Sequence, residues 1–154
     1  MIEVKRTVLA TAESVFAVLS DGWLYGSWVV GASRIRGVEA RWPEVGAHLY
    51  HSVGIWPLLL DDTTEVLVSE PARRLTLQAR GWPAGEATVD LRIHRRNDHC
   101  LVVMTEDATR GPGQLLPHAA RQAVIGPRNR ESLQRLALLA QGHARTAPRS
   151  RAPS

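Results

Sequence analysis

The sequence predicts an α+β domain: a curved antiparallel sheet of six to seven strands wrapped around one long C-terminal helix, with two short helices after the first strand. Three observations predict it. Stretches with the two-residue alternation of strands fill most of the chain up to Asp107, and the only long stripe of helical period lies near the C-terminus. The strand-like stretches follow one another through short turns, which makes neighbours antiparallel. Such a sheet has one apolar face that must be covered, and the C-terminal helix is the only element long enough to cover it. Space left between the bent sheet and that helix would form an apolar pocket.

The elements follow in order. Ile2 and Val4, then Val8–Leu9, alternate with Glu3, Lys5 and Thr7 as a first strand. Thr11 is placed to cap a helix running from Ala12, with Glu13 in its first turn, where a negative charge suits the helix dipole. Val15, Phe16, Val18 and Leu19 are its packing side. Ser20-Asp21-Gly22 breaks it, and Asp21 can cap a second short helix over Trp23–Trp28. A polar strand is expected from Ala32 to Arg41, followed by a turn at Trp42-Pro43-Glu44-Val45-Gly46. Ala47, Leu49, His51, Val53 and Ile55 share one face of the next strand. Strands are expected at Asp62–Glu70, Arg73–Arg80, Ala87–His94 and Cys100–Asp107, with turns at 81–85 and at Asn97-Asp98. Both faces of Asp62–Glu70 carry aliphatic residues, so its direction is open.

Gly111-Pro112-Gly113 ends the strands, and Leu115–Ile125 has the pattern of a helical turn or two. Pro127 suits the first position of the long helix, where its missing N–H is not needed. Leu133, Leu136, Ala137 and Ala140 recur at i, i+3, i+4 and i+7, with Leu138 and Leu139 widening the stripe. Gly142 is the expected stop. The reading is one domain over residues 1–142 and a disordered basic tail over 143–154. There is no internal repeat and no domain linker.

A chain of 154 residues, 44% hydrophobic and 22% charged, suits one globular domain. No window is apolar enough for a membrane span, and Met1–Ala10 lacks the apolar core of a secretory signal. One cysteine, Cys100, cannot form an internal disulfide. A cytoplasmic, bacterial-type protein is the expectation; the 18 arginines beside a single lysine suggest a GC-rich coding sequence. Charge is uneven. Arg110–Ser154 holds eight arginines and one acid, while the preceding residues hold eleven basic and fourteen acidic side chains. A basic end can attract nucleic acid or anionic lipid, but this one has no aromatic residue to stack on bases, so no nucleic-acid partner is expected.

The first strand with Thr11-Ala12-Glu13-Ser14-Val15-Phe16-Ala17-Val18-Leu19-Ser20-Asp21 is joined by the Trp23–Trp28 segment and by Trp42-Pro43-Glu44-Val45-Gly46 ahead of a strand. Val102-Val103-Met104-Thr105-Glu106-Asp107 and Arg128-Asn129-Arg130-Glu131-Ser132-Leu133 complete the set. Over about residues 1–142 these resemble the polyketide cyclase/START-like (SRPBCC) ligand-binding superfamily. The resemblance implies the helix-grip fold. It does not choose among lipid carriers, hormone receptors, chaperone activators and cyclases.

An apolar pocket with a few polar anchors is the expected site. Trp23, Trp28 and Trp56 lie in or beside turns and short helices, where an indole can line a pocket mouth or simply fill a core poor in phenylalanine. Trp42 and Trp82, flanked by prolines, read as core plugs. His51 shares its face with aliphatic residues, so its imidazole should point to the covered side and can anchor a ligand or move a proton. Its alternative is a buried histidine bonded to a tyrosine or to backbone. Met104 and Glu106 share a face with Val102, and Glu65 shares one with Leu67. Either carboxyl, if buried, can act as an acid; either can equally face water. His51 with Glu65 or Glu106 would be the minimum set for enolising or dehydrating a polyketone.

His48 and His51 point to opposite faces and cannot share a metal, and no phosphate loop or nucleophile elbow is present. No metal and no cofactor are expected. Three functions stay open: a carrier of a hydrophobic small molecule, lipid or polyketide-like; a cyclase or dehydratase; and an interaction module. A homodimer is possible in any of them.

Overall fold

The computed structural model describes residues 1–55, 57–81 and 85–146. Seven strands form one sheet: β1 (Ile2–Val8), β2 (Ala32–Val38), β3 (His48–Ile55), β4 (Leu58–Glu70), β5 (Arg74–Gly81), β6 (Gly85–Arg95) and β7 (Cys100–Arg110). Their spatial order is β1-β7-β6-β5-β4-β3-β2, and every pair is antiparallel. Between β1 and β2 come α1 (Ala12–Ser20), a 3-10 turn at Gly22–Leu24 and α2 (Tyr25–Trp28). A 3-10 turn at Pro112–Leu115 leads into α3 (His118–Thr146). The sheet is curved, and the architecture is the helix-grip α+β fold.

Local chemistry sets the short helices. Thr11 Oγ1 accepts from the Ser14 N–H at 3.1 Å, and Asp21 Oδ1 accepts from the Trp23 N–H at 3.0 Å. Both bonds satisfy donors that a helix start leaves free. Gly22 lies against β2, where a Cβ would meet Val38 Cγ1 at 2.6 Å. Trp42 is buried and donates its indole N–H to the Leu19 carbonyl at 3.2 Å, as befits a core plug.

Alternation decides which side chains enter the core. Ile2, Val4 and Val8 of β1, Leu75 and Leu77 of β5, Leu91 and Ile93 of β6, and Val102 and Met104 of β7 are all buried. Leu9 is 73% exposed, because the strand ends at Val8 and the chain turns away. β2 stops at Val38, three residues before the expected end, since the Glu39 carbonyl accepts from the Trp42 N–H and starts the turn. β4 starts four residues early at Leu58, because β3 continues to Ile55 and supplies a partner.

The long helix differs most from expectation. Leu115–Ile125 is not a separate turn, and Pro127 is not a first helical position: α3 is continuous from His118 with Pro127 inside it. The proline removes only the bond its N–H would have made to the Ala123 carbonyl, and the flanking turns carry the helix across. Gly142 does not stop it either. A glycine this near the end costs roughly 1 kcal/mol relative to alanine, and the helix goes on to Thr146, whose Oγ1 donates back to the Gly142 carbonyl at 3.3 Å. Leu133, Leu136, Ala137 and Ala140 are buried as expected, whereas Leu138 points away and is 60% exposed.

α3 packs chiefly on β1, α1 and α2. Its C-terminal half therefore anchors in the core, and its N-terminal half overhangs the middle of the sheet. Leu136→Ala should cost about 2–5 kcal/mol, read from urea unfolding. A loss well below that would mean the helix is not seated as described.

Candidate functional site

Beneath the overhang lies a cavity of about 410 Å³. Its floor is made by small residues in register. Ala79 of β5 pairs with Ala87 of β6, which pairs with Ala108 of β7, and all three border the cavity. Alternation points these positions inward, where their neighbours Leu77, Val89 and Met104 also face; the short side chains leave the space unfilled. Val29 and Val30 after α2 form one wall, and Val124 and Ile125 of α3 form the roof. Leu116 and Val124 are more than half in water or close to it, at 50% and 70% exposed, which puts them at the rim.

Two polar clusters interrupt the apolar lining. The first is at the buried end. His51 Nε2 is 3.0 Å from Thr64 Oγ1, which is 3.2 Å from Tyr25 Oη. The rings of Tyr25 and His51 lie 5.4 Å apart at 35°. Asp62 is paired with His51 across β3 and β4, so it shares that face, and its carboxylate accepts from the Thr63 N–H at 2.7 Å. Desolvation holds the His51 pKa below the ordinary histidine value, against the pull of Asp62 and with the help of Arg36. Burial likewise pushes the Tyr25 phenol up to about 12. Both are neutral near pH 7.

The lowered imidazole has a consequence for stability. Below about pH 6.5 an unfolded histidine takes up a proton that the folded site resists, so stability falls as pH drops through that value. His51→Gln should flatten this part of the dependence, measured as urea midpoints on either side of it. An unchanged slope would mean that His51 titrates freely in the folded protein.

The second cluster joins β7 to α3. Glu106 is 6% exposed and accepts from Asn129 Nδ2 at 2.9 Å and from Arg128 Nη2. One turn along, Ser132 Oγ accepts from the Val30 N–H at 3.1 Å and ties α3 to the loop after α2. Arg121 also borders the cavity and reaches Asp107 at 3.7 Å.

The sequence candidates are now located. Trp28, His51, Met104 and Glu106 all border this cavity. Trp23 does not: it is 60% exposed, because the 3-10 turn that begins at Gly22 points its indole outward while Trp28, later in the segment, turns in. Trp56 and Trp82 lie outside the described residues. Glu65 is not a cavity group. Thr64 and Val66 take the inward side of β4, so Glu65 faces out beside Leu67 and lies 3.7 Å from His48 Nε2. His48 itself sits on that outer face against Glu39 and Glu65. Among the described residues no three His, Cys, Asp or Glu side chains gather as metal ligands. Cys100 is buried, and its thiol pKa is raised by desolvation.

Sequence reading missed Tyr25, Thr64, Asp62, Asn129 and Ser132. A signal existed for two of them. Asn129, Ser132 and Leu133 continue the Leu136–Ala140 stripe backwards at i, i+3 and i+4, so the buried face of α3 turns polar where it reaches the cavity. Tyr25 and Thr64 carried none, because nothing local ties a short helix to a strand 39 residues away.

A curved antiparallel sheet gripping a C-terminal helix over an internal space is the helix-grip arrangement. The chain belongs to the family described as polyketide cyclase / dehydrase and lipid transport, whose model matches residues 1–141. Among curated proteins no sequence matches it. Solved structures share the fold at low identity. The di-domain ARO/CYC StfQ from the steffimycin biosynthetic pathway is 11% identical with a TM-score of 0.72, covering 94% of this chain and 51% of that one. Protein NE0264 from Nitrosomonas europaea is 14% identical with a TM-score of 0.71, covering 92% and 94%. Ara h 8.0201 is 11% identical with a TM-score of 0.67, covering 92% and 97%. No helix among the described residues is long and apolar enough to cross a membrane.

Proposed function

We propose that this protein binds an apolar small molecule, lipid or polyketide-like, in the cavity under the N-terminal half of α3. The observation that carries the reading is the row Ala79–Ala87–Ala108, three small side chains in register where a filled core would hold larger ones. Space kept open at the centre of a sheet costs packing energy, and a guest that fills it recovers the lost contacts. Trp28, Met104 and the flanking aliphatic groups would contact its apolar frame; His51 and Glu106 would fix its orientation.

A second reading, a cyclase or dehydratase, is favoured by one observation: an imidazole and a carboxyl group border the same cavity. Their bonding speaks against it. His51 is engaged by Thr64, and Glu106 by Arg128 and Asn129, so neither is bonded to the other. A general base with no carboxylate to orient it, and a carboxylate already committed to a guanidinium, are better suited to holding than to proton shuttling. An interaction module with a filled cavity is disfavoured by the open volume of about 410 Å³.

Native mass spectrometry of the purified protein tests the reading. The expected result is an extra mass of a small apolar compound, lost on organic extraction and regained on adding it back. A protein that stays at its bare mass across a panel of fatty acids and polycyclic aromatics would overturn it.

A further inference from the structure

Water-facing aliphatic side chains gather at one end of the molecule, on two segments. The first is the hairpin that joins β3 to β4. Val53 borders the cavity and pairs with Leu60, and the two strands run two rungs further, to the pair of Ile55 and Leu58. Alternation puts Leu58 on the same side as Leu60, beyond the mouth, and it is 81% exposed. The second is the run from Leu115 to Val124. Leu115 is 86% exposed, and Leu116 and Val124 form the rim. Of the thirteen large hydrophobic side chains exposed among the described residues, six belong to these two segments, so the exposure is concentrated rather than scattered.

The hairpin is an ordered lip. Gly54 has a φ of +117°, and a Cβ there would collide with the Leu58 carbonyl, so only glycine lets the two strands close at this point. The Gly54 N–H also donates to the Gly31 carbonyl at 3.3 Å, which ties the lip to the loop after α2.

Charge at this end is one-sided. Val53–Leu60 has no charged residue, and residues 108–130 hold four arginines and no acid. Arg80 and Arg110 share a single carboxylate, that of Glu86, at 3.5 and 4.0 Å. Two guanidinium groups on one carboxylate leave a net positive charge beside the mouth.

We infer that this end docks on a lipid bilayer with anionic headgroups, with Leu58 and Leu115 entering the acyl boundary and Arg80 and Arg110 meeting the headgroups. Burial of aliphatic groups and attraction to anionic lipid are the two terms that hold a protein at such an interface. The paired strands of the hairpin carry their own main-chain bonds, so the tip can enter without unmet polar groups. A second copy placed mouth to mouth is disfavoured, because it would set Arg80 and Arg110 against their own images. A bilayer needs no complementary shape and accepts two separate lips. The inference goes beyond cavity binding and does not rest on it, since neither leucine borders the cavity.

Sedimentation with vesicles of two parts phosphatidylcholine to one part phosphatidylglycerol tests it. The native protein should pellet with the vesicles. Leu58→Ser and Leu115→Ser should each lower the partition constant about tenfold, and together about 100-fold. Arg110→Gln should lower it about fivefold, and vesicles of phosphatidylcholine alone should bind the native protein at least as weakly as that. The double serine variant should keep the native urea midpoint, because both side chains are already in water. Three results would overturn the inference: a native protein that stays in the supernatant, a double variant that pellets like the native protein, or a native dimer that the double variant splits, which would give the patch to a second copy. Each of them leaves guest binding in the cavity standing, and a protein that takes no guest but pellets as described leaves the docking standing.

Discussion

Glu106→Ala should lower the stability of the protein by about 3 kcal/mol, one of the largest effects of any single polar substitution here. Glu106 sits on the inner face of β7 at 6% exposure and receives both the Asn129 amide and the Arg128 guanidinium. Removing its carboxylate takes away the acceptor of the Asn129 amide N–H, in a residue that is 1% exposed. Arg128 is less affected, since its side chain is 42% exposed and can be solvated. Glu106→Gln keeps an acceptor for Asn129 and loses only the charge, so about 1 kcal/mol is expected. In thermal unfolding the alanine variant should melt roughly 6–12 °C lower for a domain of this size. Equal effects from Ala and Gln would show that the ion pair with Arg128, rather than the buried amide, is what matters. A negligible effect from both would mean that α3 does not depend on this cluster to sit on the sheet.

Ala87→Leu should abolish most guest binding while leaving the fold intact. Ala87 is the middle of the alanine row, flanked in register by Ala79 and Ala108. A leucine there projects its added carbons into a space of about 410 Å³. A misfit of even one methylene in an apolar pocket is worth about 10- to 200-fold in discrimination, so the affinity for a fatty acid or polycyclic aromatic that the native protein binds should fall about 100-fold. Stability should stay within about 2 kcal/mol of the native value, because new apolar burial offsets the strain of a larger side chain. Calorimetric titration reads the first effect and urea unfolding the second. An unchanged affinity would place the guest somewhere other than over this row.

Much of this architecture is legible in the residues because it is written in local periodicity. The inward set Leu75, Leu77, Leu91, Ile93 and Val102 follows from alternation alone, and the Leu133–Ala140 stripe from helical spacing. Thr11 and Asp21 announce their helices through side-chain capping. Most of the failures depended on a partner distant in sequence. Glu65 and Thr64 differ in facing, and only the pairing of β4 with β3 decides between them. Pro127 looked like a beginning because sequence alone does not reveal that the turns on both sides are helical. At the site, His51 could be pointed inward from its neighbours, but its bonding to Thr64 and Tyr25 crosses three elements. The alanine row is invisible to pattern, since Ala79, Ala87 and Ala108 become neighbours only when three strands are in register.

Pro127 divides α3 into two tiers. On its C-terminal side Leu133, Leu136, Ala137 and Ala140 are sunk in the core; on its N-terminal side residues 118–125 include none that is buried. The ladder of main-chain bonds is interrupted at the same place, because proline has no N–H for the Ala123 carbonyl. The free energy of local opening should therefore step sharply along one helix, small ahead of the proline and near the global value behind it. The roof of the cavity belongs to the weak tier. Entry and exit of a guest would then run on the clock of that fraying segment, so hardening the core would prolong the life of the fold without slowing the traffic through its door.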